Sequence, residues 1–245
     1  MEKTVLITGA SRGIGRETAL LLWRQGYRVA LNYCRSAAPA LALAEELCAL
    51  RPGSALAVPA DVSIREEVEA MLSRVRGVLG EPDVLVNNAG IARQQLFTDI
   101  TESDWDRIFA VNVKGMFHCT QAVLPAMIHK KRGKIINISS MWGQVGASCE
   151  VAYSASKGAV IAFTKALAQE VGPSGIQVNC VAPGVIETEM NGALSAETLD
   201  ALREETPLGV LGKPSDVAES VAFLASAAAD FITGQVLAPN GGMVL

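Results

Sequence analysis

The sequence predicts an α/β fold in which helices cover both faces of a doubly wound parallel sheet. Short runs rich in β-branched residues alternate with longer segments of helical periodicity along the whole chain. The short runs are apolar throughout rather than at every second position, which is typical of strands buried on both faces. Right-handed crossovers between such strands produce a doubly wound sheet.

Strands are predicted over Thr4–Thr8, Arg28–Asn32, Ala55–Pro59, Val84–Asn87, Lys134–Ser139, Gln177–Ala182 and Gln235–Ala238. Helices are predicted over Ile14–Gln25, Ala38–Leu50, Ile64–Leu79, Trp105–His129 and Tyr153–Val171, with a weaker pattern at Ser195–Glu205 and a last helix from Pro214. The long interruption between the sixth strand and that last helix predicts a lid over about residues 185–212. No linker or repeat divides the chain, so residues 1–245 are expected to form a single domain.

Composition excludes several classes of function. The net charge of −4 and the pI near 5.3 argue against a nucleic-acid partner, which normally needs a basic surface. No apolar stretch is long and clean enough to span a bilayer, and the first strand leaves no room for a signal peptide. The five cysteines show no CxxC spacing and only two histidines are present, so neither a metal site nor disulfides are expected. A reducing, cytoplasmic location is predicted.

A glycine-rich turn follows the first strand. Gly9, Gly13 and Gly15 let the backbone turn tightly, approach a pyrophosphate and pack the next helix against the sheet. The amino end of that helix offers free N–H groups to phosphates. The alternative is a turn that only connects strand and helix, but its position favours a Rossmann-type dinucleotide site.

The spacing of this turn and a series of later motifs resemble the short-chain dehydrogenase/reductase family over essentially the whole chain. The later motifs are Asp61-Val62, Asn87-Asn88-Ala89-Gly90, Asn112, Ser140, Tyr153 with Lys157, and Pro183-Gly184 with Thr188. The resemblance implies that the cofactor is bound by Gly9, Ser11, Arg12, Gly13, Ile14, Gly15, Tyr33, Arg35, Asp61, Val62, Asn88, Ala89, Gly90, Tyr153, Lys157, Pro183, Gly184, Ile186 and Thr188.

Tyr153 and Lys157 are four residues apart at the start of a predicted helix, so they lie on the same face. An adjacent ammonium is expected to lower the pKa of a phenol and so to help it exchange protons. The alternative is a partly buried tyrosine beside a solvated lysine. The resemblance implies that Ser140, thirteen residues before Tyr153, binds the substrate oxygen, whereas Ser139 does not. It also implies that Lys157 holds the nicotinamide ribose and that Asn112 completes a water-mediated proton relay.

NADPH is the expected cofactor. Enzymes of this fold that prefer NAD place an acid at the end of the second strand, where this chain has Tyr33. Arg12 and Arg35 offer planar donors to a 2′-phosphate, although both are ordinary solvated arginines in the alternative interpretation. A catalytically silent dinucleotide sensor is the hypothesis from another class, but it gives no reason to retain Ser140, Tyr153 and Lys157 together.

The substrate is expected to be a carbonyl compound, with Ser140, Trp142 and Glu150 as contacts. The overall resemblance implies a 3-oxoacyl-acyl-carrier-protein reductase, and the basic run Lys130-Lys131-Arg132 suits an acidic carrier. However, Ala147, Glu150 and Ser174 depart from that group. The loop is similar to that of bacterial reductases of a 5-aminopentanone group on translation elongation factor P, so that substrate is the alternative. A carboxylate at Glu150 would suit an ammonium group, unless it is simply solvated or paired with another subunit.

The family resemblance further implies a homotetramer. The apolar carboxyl-terminal run Phe231–Leu245 has little charge and is consistent with burial at a subunit interface.

Overall fold

The computed structural model describes residues 2–189 and 195–245 of the chain. Within them, seven parallel strands form one sheet in the order β3-β2-β1-β4-β5-β6-β7. The strands are β1 Thr4–Ile7, β2 Arg28–Tyr33, β3 Ala55–Pro59, β4 Val84–Asn87, β5 Gly133–Ile138, β6 Ile176–Val181 and β7 Val236–Leu237. The predicted doubly wound parallel sheet is therefore confirmed.

Helices cover both faces of this sheet. They are α1 Gly13–Arg24, α2 Ala37–Leu50, α3 Arg65–Leu79, α4 Glu102–Phe109, α5 Gly115–Lys130, α6 Trp142–Val145, α7 Val151–Val171, α8 Ala196–Glu205 and α9 Pro214–Ala225. No helix among the described residues is long and apolar enough to cross a membrane.

The alternation of side chains along each strand divides the core into two layers. On β1, Val5 and Ile7 point to the layer that packs against α1, α2 and α9, whereas Leu6 points to the layer beneath α3, α5 and α7. Val84 and Leu85 on β4 alternate in the same way. Because both faces are buried, apolar residues occupy most strand positions, which explains the nearly continuous apolar runs.

The segment predicted as one helix over Trp105–His129 is divided in the structure. Helix α4 ends at Phe109, a π-helical turn spans Ala110–Lys114, and α5 begins at Gly115. The wide turn carries Asn112, whose side chain is buried against the loop after β4. Single π-turns often mark functional positions, and tertiary contacts rather than periodicity determine where they occur.

The segment that follows β6 begins and ends at residues that hydrogen-bond to each other. Ile186 forms a β-bridge with Gly212, and the Glu187 N–H donates to the Gly212 carbonyl at 2.8 Å. Helix α8 lies between these ends, where the sequence shows a weak helical pattern. The predicted lid over about residues 185–212 includes residues 190–194, which lie outside the described part, so the lid stays a prediction.

Candidate active site

The site lies in the crevice at the carboxyl edge of the sheet, where the chain reverses its winding direction. Strands β2 and β3 lie on one side of β1, and β4 to β7 lie on the other. Open α/β sheets bind their ligands at such switch points. The glycine turn after β1 and the Asn88–Gly90 segment after β4 meet there.

The glycine turn has the shape that a phosphate group requires. Gly9 and Gly13 have φ angles of +64° and +52°, which side chains rarely tolerate. A Cβ on Gly15 would lie 2.4 Å from the Gly9 carbonyl oxygen, so α1 can pack this closely only with glycine. Arg12 is the N-cap residue of α1, and its side chain does not cap the helix. The exposed N–H groups and the helix dipole therefore fit a dinucleotide phosphate.

Buried polar side chains fix this turn to its neighbours. The Thr8 hydroxyl accepts hydrogen bonds from the N–H groups of Asn88 and Ala89, at 2.9 and 3.0 Å. In return, the Asn88 amide donates to the carbonyls of Thr8 and Gly9, at 2.9 and 3.1 Å. The Gly9 N–H donates to the Asn32 side chain at 3.2 Å. These bonds preorganise the turn across three adjacent strands.

The end of β2 carries no carboxylate. Tyr33 is the last residue of the strand and is partly buried, and Arg35 is exposed just beyond it. Arg12 forms an ion pair with Glu189, 2.9 Å between Nη1 and Oε2, with both side chains largely exposed. Arg12 of the glycine turn is thus held by a carboxylate that an anionic ligand would have to displace, and Arg35 lies just after β2, the strand beside β1.

Asp61 follows β3 on the same edge. Its carboxylate accepts hydrogen bonds from the N–H and hydroxyl of Ser63, and it pairs with Arg107 at 3.0 Å. Burial alone would raise the pKa of Asp61, but the bonds from Ser63 and Arg107 outweigh it and lower that pKa. Asp61 is therefore ionised at neutral pH. Val62 beside it packs so closely against Gly115 that a Cβ on Gly115 would lie 2.5 Å from a Val62 methyl carbon.

A cavity of about 470 Å³ extends from the glycine turn between β4, β5 and β6. Its wall gathers most of the predicted catalytic, nicotinamide-side and substrate residues: Ile14, Asn88, Gly90, Ser140, Trp142, Glu150, Tyr153, Lys157, Pro183, Gly184, Ile186 and Thr188. The remaining predicted residues do not line it. They are Gly9, Ser11, Arg12, Gly13, Gly15, Tyr33, Arg35, Asp61, Val62, Ala89 and Asn112.

The two serines after β5 have different surroundings. The Ser139 hydroxyl donates to the Lys157 carbonyl at 2.7 Å, so it holds the end of β5 against α7. The Ser140 hydroxyl accepts from the Trp142 N–H at 3.2 Å and hydrogen-bonds with Tyr153 inside the cavity. Ser140, rather than Ser139, is therefore free to bind a ligand oxygen together with Tyr153.

The pKa of Tyr153 differs from the sequence-based expectation. Burial raises it to about 12, and the nearby Glu150 carboxyl also raises it, although the bond with Ser140 acts in the opposite direction. The Lys157 ammonium lies 5.6 Å from the tyrosine ring centre and donates to the Ile138 carbonyl at 2.8 Å. Its own pKa falls to about 8 through burial. The expected lowering of the Tyr153 pKa by Lys157 is not seen in this structure: the pKa is raised, and burial is the largest cause.

Asn112 lies behind the cavity wall. Its side-chain oxygen accepts from the Ile91 N–H at 2.8 Å, and its amide donates to the Ile91 carbonyl and the Ser156 hydroxyl at 2.9 and 3.0 Å. The Asn112 oxygen and the Lys157 ammonium nitrogen are each 3.4 Å from the point where a Cβ on Gly90 would stand. Glycine at position 90 therefore leaves the space between these two groups open.

Glu150 forms part of the opposite wall, at the amino end of α7. One carboxylate oxygen, Oε2, is buried and has no hydrogen-bond partner among the described residues, and Gln94 hydrogen-bonds to the side chain. Burial raises the pKa of Glu150, and the bond from Gln94 offsets this in part. A half-buried carboxylate with an unused acceptor favours a ligand that carries a donor.

Comparison with known proteins agrees with this geometry. The sequence model of a family described as short chain dehydrogenase matches residues 3–199. A 3-oxoacyl-[acyl-carrier-protein] reductase from Staphylococcus aureus is 45% identical over 245 residues, covering 100% of this chain and 99% of the relative. This chain belongs to the short-chain dehydrogenase family.

Solved structures of the family have the same fold. A candidate gluconate dehydrogenase from Agrobacterium tumefaciens superposes with a TM-score of 0.94 at 32% identity, covering 99% of this chain and 97% of that one. A 3-oxoacyl-[acyl-carrier protein] reductase from Brucella melitensis superposes with a TM-score of 0.91 at 36% identity, covering 98% and 91%. Because these two proteins differ in their substrates, the fold leaves the substrate of this short-chain dehydrogenase to be argued from its cavity.

Several residues of this short-chain dehydrogenase site were missed from the sequence. Thr8 and Asn32 brace the glycine turn, Gln94 contacts Glu150, and Thr198 and Leu202 of α8 line the cavity. Only Thr8 had a local signal, since it stands at the junction of a strand and a glycine turn. Among the described residues, no group of three His, Cys, Asp or Glu side chains is placed to hold a metal ion.

Proposed function

We propose that this short-chain dehydrogenase reduces a ketone to a secondary alcohol with NADPH, with Tyr153 as the proton donor. The observation that carries the proposal is the shared cavity wall of Ser140, Tyr153 and Lys157, on the edge of the sheet that also holds the glycine turn. A nicotinamide supplies hydride when it is bound there. The fit of the turn to a phosphate supports this cofactor.

The side chains divide the proton chemistry between them. The Ser140 hydroxyl and the Tyr153 phenol both donate to the substrate carbonyl oxygen, and Tyr153 then transfers its proton as the alkoxide forms. A pKa of about 12 keeps the phenol protonated at neutral pH, which suits a donor. Lys157, still mostly charged with its pKa of about 8, holds the ribose. Water in the open space beside Gly90 hydrogen-bonds to Lys157, next to Asn112, and returns the proton.

The experiment that tests this role is Tyr153→Phe. Turnover of a good ketone, followed by NADPH absorbance, should fall by about a hundredfold or more, since general acid catalysis contributes about that much. NADPH affinity should stay within about twofold. Tyr27→Phe is the matched control, because its hydroxyl bonds the Ala225 carbonyl, away from the cavity. Near-normal turnover by Tyr153→Phe would refute the mechanism, and a wild-type enzyme that binds NADPH but reduces no ketone would support the sensor hypothesis.

The preference for NADPH over NADH is part of the proposal. The absence of an acid at Tyr33, Arg12 in the glycine turn and Arg35 just after β2 favour a 2′-phosphate. Fluorescence titration should give at least about tenfold tighter binding of NADPH, or about 1.4 kcal/mol. Tyr33→Asp should shift the preference toward NADH. Equal affinities in the wild-type protein would remove the roles given to the two arginines.

For the substrate, we propose a 3-oxoacyl group on an acyl carrier protein. The name and the 45% identity of the Staphylococcus aureus relative support it. The charge of the basic run Lys130-Lys131-Arg132 is partly neutralised by Asp83. Its carboxylate oxygen Oδ1 lies 3.6 Å from Nζ of Lys130 and 3.8 Å from Nη2 of Arg132. Acetoacetyl thioesters should be reduced well, and Lys131→Glu should raise the KM for the carrier-bound substrate while leaving a free thioester unaffected.

The second candidate substrate is the 5-aminopentanone group on elongation factor P, and the unpartnered oxygen of Glu150 favours it. Para-(aminomethyl)acetophenone should then have a lower KM than para-ethylacetophenone, and Glu150→Gln should abolish the difference. Glu102→Gln, an exposed change on α4, is the matched control. A preference for acetoacetyl thioesters that Glu150→Gln leaves unchanged would favour the acyl-carrier substrate.

We also propose that the chain forms a homotetramer and works in the cytoplasm. Phe231 and Leu245 at the carboxyl terminus are fully exposed in the isolated chain, as expected of residues that a neighbouring subunit covers. All five cysteines are free, which suits a reducing compartment. Light scattering that gives a monomer mass at micromolar concentration would refute the tetramer.

A further inference from the structure

Four buried polar side chains form a chain of hydrogen bonds across β4 and β5. The Asn87 amide donates to the Thr120 hydroxyl at 3.0 Å and to the Asn137 side-chain oxygen at 2.8 Å. The Asn137 amide donates to the Thr164 hydroxyl at 2.9 Å, and that hydroxyl donates to the Val160 carbonyl at 2.8 Å. This network of hydrogen bonds joins α5 and α7 on the face of the sheet that both helices cover.

This network of hydrogen bonds leaves one polar atom of Asn87 without a hydrogen bond. Asn87 is only 6% exposed, and its side-chain oxygen Oδ1 is buried with no hydrogen-bond partner in the part of the chain that the structure describes. Turning over the amides of Asn87 and Asn137 would only replace the unpartnered oxygen with an unpartnered amide nitrogen. Buried polar groups nearly always have a hydrogen-bond partner. Where no protein atom is in place, the partner is usually an ordered water molecule.

Asn87 also lines a small cavity, separate from the large one. Its volume of about 10 Å³ is close to the smallest space that holds one water molecule. Thr8 and Asn112 are the other residues in its wall whose side chains carry oxygen or nitrogen. The Asn112 oxygen accepts one bond, from the Ile91 N–H, so its second lone pair remains for another donor.

We propose that this small cavity is a binding site for one ordered water molecule, which donates its two protons to the side-chain oxygens of Asn87 and Asn112. A water molecule matches the volume and has the two donors that these acceptors need. It links the end of β4 to the π-turn that carries Asn112, so the π-turn is anchored to the sheet as well as to Ile91.

A crystal structure is the direct test. At a resolution of about 1.8 Å or better, density for a water should appear within about 3.2 Å of the Asn87 oxygen, in every copy of the chain. An empty cavity in a map that shows other buried waters would overturn the proposal. So would a protein donor on Asn87 that makes the water unnecessary.

A pair of matched substitutions tests the site in solution. Val160→Thr keeps the side-chain shape and adds a hydroxyl to the wall of the small cavity, where a water can bond to it. Val123→Thr adds the same hydroxyl in another helix, at a buried position in the apolar core. Each new hydroxyl can hydrogen-bond to a backbone carbonyl of its own helix, so this contribution to stability is the same in the two variants. Val160→Thr should lower the Tm by less than half as much as Val123→Thr, and an equal or larger loss would contradict a wet cavity.

Discussion

Replacing Lys157 with Met measures how far a buried ammonium group in the candidate active site lowers the free energy of unfolding. The pKa of Lys157 falls from 10.5 to about 8 through burial. At about 1.4 kcal/mol per pH unit, this corresponds to about 3 kcal/mol of destabilisation when the group is charged. The substitution also removes the bond to the Ile138 carbonyl, which costs about 1–2 kcal/mol. We expect a net gain of about 1–2 kcal/mol, or a Tm higher by about 2–8 °C, together with loss of turnover.

The pH dependence separates this cause from simple repacking. Since the folded pKa lies below the unfolded one, the unfolded chain binds more protons between pH 8 and pH 10.5. The penalty is therefore complete below pH 8, and wild-type stability rises relative to the variant as the pH passes through that window. Circular dichroism melts should show the gap at pH 7 shrinking at higher pH. Lys165→Met, an exposed change on the same helix, is the control. A Lys157→Met protein less stable than this control at pH 7, or a gap that does not vary with pH, would refute the reasoning.

Two further predictions concern the glycine turn. Glu189→Gln releases Arg12 from its ion pair, so NADPH should bind up to about fivefold more tightly at low salt. The affinity for NADH should not change. Glu187→Gln is the control. An effect that persists in 1 M salt would argue against an ionic cause. Gly15→Ala should weaken cofactor binding at least about tenfold, because the new Cβ would lie 2.4 Å from a backbone oxygen of the turn. Gly77→Ala, on an exposed helix face with nothing within 4 Å, should instead stabilise the chain by about 1 kcal/mol.

The sequence predicted those features that depend on local pattern. Buried parallel strands are mostly apolar, and a glycine turn at a strand–helix junction is typical of a phosphate site, so the parallel sheet and the crevice beside the turn were predictable. The π-turn at Asn112 was not predictable, because helical periodicity continues through it and contacts with the distant Ile91 and Ser156 determine it. The bonds from Thr8 to the β4 segment join residues about eighty positions apart, which no local pattern reveals.

The orientation of Lys157 shows most clearly where sequence reasoning stops. A spacing of four residues places it on the same helix face as Tyr153, but it does not determine which atom the ammonium approaches. In the structure the ammonium donates to the Ile138 carbonyl and lies beside the tyrosine ring. Burial is the largest cause of the raised Tyr153 pKa, and the ammonium is bound to a strand carbonyl; both features depend on the fold around the helix and not on the spacing of four residues.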